Sequence, residues 1–118
     1  MWKSGLLSFS LFVTTVADAH HGLDLYNTDA LVEIEGKVIE VRLMDPHSLL
    51  VVEARTTDGR VIQWEVEGGS ASGIVGSGLS QEFLRSGPMV SIEGFQTKDD
   101  LCAPRCRLAG ESFDFQQN

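Results

Sequence analysis

Leu31-Val32-Glu33-Ile34-Glu35-Gly36-Lys37-Val38-Ile39-Glu40-Val41-Arg42-Leu43 is the stretch from which the fold is argued. It alternates apolar and polar residues with the period of two that marks a half-buried strand. The alternation does not keep one parity. Val32, Ile34 and Val38 occupy even positions, whereas Ile39, Val41 and Leu43 occupy odd ones. A slip of one residue sends every later side chain to the opposite face. A strand carrying both parities must therefore bulge or coil, and the switch is expected next to Gly36. One strand bent through two halves of a sheet is a way to close a small barrel.

Downstream, Met44-Asp45-Pro46-His47 interrupts the pattern, because Pro46 cannot donate to a ladder. Leu49 to Arg55 reads as a second strand, and Thr57-Asp58-Gly59-Arg60 as a hairpin turn through Asp-Gly. Val61 to Glu67 follows as a third strand, with Ile62, Trp64 and Val66 inward and Gln63, Glu65 and Glu67 outward. Gly68-Gly69-Ser70 ends it. A helical turn is expected from Ser70 to Val75. Ser80 is the N-cap expected for Gln81 to Arg85, and Gly87 the stop. Gly73, Gly76 and Gly78 exclude one long regular helix here. Pro88 to Phe95 and Arg107 to Phe115 complete five strands. Three strands, a short helical connection and two strands predict an all-β fold, a small five-stranded OB-like barrel. A small open β-sandwich is the alternative.

Upstream, residues 1–19 have the three parts of a secretory signal: Lys3, the short apolar run from Leu6 to Val16, and Ala17-Asp18-Ala19 as the cleavage site. That run is shorter than the roughly 20 residues a spanning helix needs. Residues 20–118 are then the single barrel domain, with no stable membrane insertion after cleavage. Leu23, Leu25 and Tyr26 are expected to tack the N-terminal arm onto the barrel. The net charge is −8, and losing Lys3 and Asp18 leaves it unchanged. Such a field repels phosphate backbones and concentrates cations, so nucleic acid is not an expected partner. The two cysteines, Cys102 and Cys106, predict a disulfide in an oxidising compartment; a thiolate metal pair or a redox pair is the alternative.

The chain has three histidines, His20, His21 and His47. Cleavage after Ala19 would leave a free amine on His20. That amine and the His20 imidazole can chelate a metal ion, and one more imidazole, from His47 or His21, would give a T-shaped set of three nitrogens. Copper(II) favours nitrogen ligands in tetragonal geometry and heads the divalent affinity order, so copper is the expected metal. The alternative is a non-catalytic module that docks an envelope protein or a small ligand at a rim of Trp64, Glu67, Gly68 and Gly69. Asp45, Glu65 and Glu67 could pair as carboxylates, although a solvated acidic face is the simpler reading. No catalytic residue is assigned, since neither a nucleophile constellation nor a phosphate loop is present.

Several of these motifs together resemble one family. They are His20-His21-Gly22, Ile34-Glu35-Gly36-Lys37-Val38, Asp45-Pro46-His47-Ser48, Trp64-Glu65-Val66-Glu67-Gly68-Gly69-Ser70 and Val90-Ser91-Ile92-Glu93-Gly94. The set is similar to domain-of-unknown-function family 6152, small exported bacterial proteins, over nearly all of residues 20–118. The positions that match its pattern are His20, His21, Pro46, His47, Trp64, Glu67, Gly68 and Gly69. The resemblance implies a periplasmic or secreted bacterial protein and supplies no biochemical role. Two features depart from it. The family has Trp before Asn-Pro-His where this chain has Leu43-Met44-Asp45, and the Cys102/Cys106 loop is not part of the shared pattern.

Overall fold

In the computed structural model, residues 23–99 and 101–116 are described. The signal assigned to residues 1–19, and His20 and His21 with it, lie outside them. Five strands, β1 (Val32–Arg42), β2 (Leu49–Arg55), β3 (Val61–Glu67), β4 (Met89–Gln96) and β5 (Cys106–Phe115), form a closed barrel in the order β1-β2-β3-β5-β4. All neighbours are antiparallel except β3 and β5, which run parallel. This is the expected OB-like arrangement. Two short helices, α1 (Ala71–Gly76) and α2 (Gln81–Arg85), make the connection between β3 and β4. No helix among the described residues is long and apolar enough to cross a membrane.

The long strand β1 works as the two-parity pattern requires, but its irregularity is not at Gly36. Its first half pairs with β4, its second with β2, and the register shifts between Val38 and Glu40. Ile39 is the extra residue. It shares the parity of Val41 yet stands 44 % exposed, because a bulged residue is the one a two-against-one pairing leaves over. Gly36 has a different duty, a close approach between strands. A methyl group there would overlap the Glu53 carbonyl oxygen, and one at Gly94 would overlap that of Ala109.

The core is built from alternate residues of every strand. Ile34, Val38 and Val41 of β1 meet Leu50 and Val52 of β2, Val66 of β3, Val90 and Ile92 of β4 and Leu108 of β5. Leu84 of α2 closes the cluster and is the one buried residue of either helix. Each helix is capped by a serine, Ser80 as expected and Ser70 just ahead of the helix rather than within it: Ser70 Oγ accepts from the Gly73 amide at 3.1 Å and Ser80 Oγ from the Phe83 amide at 3.0 Å. The β2–β3 turn closes through the Thr56 amide to the Arg60 carbonyl, with Gly59 at a φ of 86°. That left-handed backbone suits glycine.

The cysteines form the disulfide Cys102–Cys106. Between them Arg105 donates from Nε to Gln63 Oε1 at 3.0 Å, and its terminal nitrogen lies 3.7 Å from Glu40. Arg105 thus spans β2 from outside, between β3 and β1, where Val51 is only 1 % exposed.

Gly36→Ala and Gly94→Ala should each destabilise the barrel by about 1–3 kcal/mol or more, the cost of forcing atoms into a packed site. Gly69→Ala, with nothing within 4 Å of the added carbon, should stay within about 0.5 kcal/mol. Denaturant midpoints followed by circular dichroism compare the three.

Candidate functional site: a histidine, a carboxylate and a tyrosine at one rim

The Asp45-Pro46-His47-Ser48 turn between β1 and β2 is stitched to the turn that leaves β3. The Ser48 amide donates to the Gly69 carbonyl at 2.8 Å, and the Gly68 amide to the Ser48 carbonyl at 2.8 Å. The Ala71 amide donates both to the Met44 carbonyl at 2.9 Å and to Asp45 Oδ1 at 3.1 Å. Ser48 is 1 % exposed, and its hydroxyl takes both backbone groups of Met44, accepting from the amide and donating to the carbonyl. A buried hydroxyl needs such partners. The stitching continues the β2–β3 ladder one step past the Leu49–Glu67 pair, so His47 and Glu67 emerge side by side.

His47 Nε2 stands 3.9 Å from Glu67 Oε1, with the imidazole exposed and the carboxylate half-buried. The other carboxylate oxygen, Oε2, accepts from the Tyr26 hydroxyl at 3.0 Å. Tyr26 belongs to the arm before β1. Its backbone bridges to Thr97, flanked by hydrogen bonds from the Asn27 amide to Gln96 and from the Lys98 amide to Leu25. Of the three residues expected to tack this arm down, Tyr26 carries the anchoring at 3 % exposure, while Leu25 is 61 % exposed.

The remaining predicted positions separate. Gly68 and Gly69 lie in the stitched turn beside His47. Trp64 sits on the inward parity, half-buried and packed against the core cluster. The three carboxylates do not pair: Asp45 accepts from Ala71, Glu67 from Tyr26, and Glu65 opposes Arg107 in the β3–β5 register. Among the described residues no three metal-ligating side chains converge; His20 and His21 fall outside that set. Gly68 and Gly69 also border an apolar cavity of about 320 Å³, walled by Leu50, Leu84, Phe113 and Phe115 with Ile74 of α1 above.

A family model matches residues 9–103, that of DUF6152, a family of unknown function. The chain belongs to that family. No curated protein matches it. The DUF6152 match takes in all three histidines, Glu67 and both glycines, and stops within the disulfide loop, before Cys106. Tyr26 is the site residue that sequence reasoning passed over. It was read as an apolar anchor, and the one sign available was that a buried phenol needs a partner.

Burial pushes the Tyr26 phenol up to about 12, helped by its hydrogen bond to Glu67 and the charge of that carboxylate, while Arg107 pulls the other way. A folded-state value above the ordinary 10.0 means the folded chain holds this proton more tightly than the unfolded one. The stabilisation is complete below pH 10 and lost as the pH rises toward 12. Tyr26 is the single tyrosine, so an ultraviolet titration reads it without overlap. Its midpoint should fall near pH 12. Glu67→Gln should lower it only in part, because burial is the larger cause.

Proposed function

We propose that this DUF6152 protein is exported to the periplasm or beyond, and that after cleavage behind Ala19 it binds a metal ion, copper foremost. The ligands are the α-amine and imidazole of His20 together with His47, and His21 is the alternate imidazole. One observation carries this reading. The anchor of the N-terminal arm, Tyr26, and the predicted ligand His47 face opposite oxygens of the same carboxylate, at 3.0 Å and 3.9 Å.

His20 precedes Tyr26 by only six positions, so the anchoring of Tyr26 limits how far the new terminus can lie from this rim. His47 is held on a stitched turn yet its ring is exposed, the condition of a ligand that is positioned but accessible. The net charge of −8 adds attraction for a cation. Three nitrogens in a T leave an equatorial position open, which suits copper(II).

The cavity beside Gly68 and Gly69 favours a second reading. Its volume of about 320 Å³ is at the lower end of small-molecule sites, and its walls would take an apolar ligand. On that reading the protein is a non-catalytic binding module with the histidines incidental.

Mass analysis of the exported protein should give a mature chain beginning at His20. That form should bind copper(II) at one site. A form with one extra residue ahead of His20, and His47→Ala, should each lose about tenfold or more in affinity, at least ~1.4 kcal/mol. Equal binding by the extended form removes the terminal-amine mechanism. A silent copper titration, with capture of an apolar ligand lost on filling the cavity, establishes the module instead.

A further inference from the structure

The walls of the cavity beside Gly68 and Gly69 say what kind of molecule it holds. Resting on the ligand-binding reading of that cavity, we propose that its ligand is a flat, uncharged, bicyclic aromatic molecule. Such a ligand needs neither a metal nor a histidine.

Size is the first argument. Protein interiors leave few voids larger than a water molecule, yet this cavity measures about 320 Å³. An apolar cavity of about 150 Å³ stays dry and takes benzene. The space here is roughly twice that, room for a second fused ring.

Charge is the second. Among the described residues no charged side chain borders the cavity, although the chain carries a net −8. The two hydroxyls at its edge are already engaged, Ser48 with both backbone groups of Met44 and Ser77 with the Ile74 carbonyl at 2.6 Å. A charge carried into this cavity would lose its hydration with no side chain to replace it.

Shape is the third. Phe113 and Phe115 form one wall, their rings nearly parallel at 9° with centroids 6.3 Å apart. Phe115 is braced by the edge of Phe83, at 6.1 Å and 73°. Phe113 lies over Gly110, where a methyl group would overlap its ring. A wall fixed in this way favours a planar ligand, because aromatic rings gain from offset or edge-on contact beyond the area they bury. Ile74 closes the cavity from α1, a six-residue helix with no buried residue. Entry therefore requires no opening of the barrel.

The test titrates the intact protein by calorimetry at neutral pH with naphthol, its saturated counterpart decalol, and the anion naphthoate. Wild type, I74W and F113L are compared, each checked for unchanged far-ultraviolet circular dichroism. Naphthol should bind at one site and shift the methyl resonances of Leu50, Ile74 and Leu84. Decalol should bind about fivefold more weakly, and naphthoate about tenfold or more weakly. I74W, which puts an indole into the space, should abolish naphthol binding. F113L should still bind decalol and lose the preference for naphthol. Decalol binding as tightly as naphthol overturns the aromatic class and leaves an apolar-ligand module standing. Naphthoate binding as tightly overturns the uncharged class. Binding that I74W does not weaken, with those methyl resonances unmoved, lies elsewhere and overturns the site. If none of the three binds the wild type, the ligand-binding reading of the cavity falls as well.

Discussion

A strand commits each side chain to one face, and β1 has to serve two. Its first half lies against β4 and its second against β2, so the core-facing set must change parity part-way along. The extra residue at Ile39 makes that change. It lets Ile34, Val38 and Val41 all reach the same interior, and the local twist it adds turns the strand around the corner of the barrel. Burying those side chains is worth about 1.5–3 kcal/mol apiece. A register without the bulge would turn Val41 to the outer face. Everything else, from the parallel β3–β5 contact to the position of the helices over one end, follows from the sheet closing on itself here.

Closure has a consequence at the rim. With β1 and β2 joined by a proline-containing turn, and β2 and β3 in register to their last pair, the two turns at that end of the barrel are brought edge to edge. Backbone groups that would otherwise face each other unpaired are satisfied across the gap, by Ser48 with Gly68 and Gly69 and by Ala71 with Met44. Two distant motifs, Asp45-Pro46-His47-Ser48 and Trp64-Glu65-Val66-Glu67-Gly68-Gly69-Ser70, thus become one surface feature. Trp64 belongs to the core side of its strand, while Glu67, three residues on, belongs to the rim.

The disulfide loop works on the outer face. Its small ring ties Cys102 to the buried Cys106, so Arg105 projects from a short, constrained loop. From there it reaches Gln63 and Glu40 across β2. In a chain with eight more negative than positive charges, a guanidinium set between Glu40 and Gln63 offsets local negative charge.

Strand limits, helix caps and the Asp-Gly turn depend on neighbours a few residues apart, and each could be read from the chain directly. The five strands begin and end within a residue or two of their expected limits, Ser70 and Ser80 cap as serines do, and two cysteines leave one possible pairing. The place of the bulge was not legible, because any residue near the parity change satisfies the pattern and only pairing with β2 selects Ile39. The meeting of Tyr26, Glu67 and His47 was not legible either. Tyr26 and Glu67 are 41 positions apart, and their contact depends on how a closed sheet folds the arm back over β3. Periodicity and local hydrogen bonding are short-range and written in the sequence; the distance between two remote side chains is a property of the closed barrel alone.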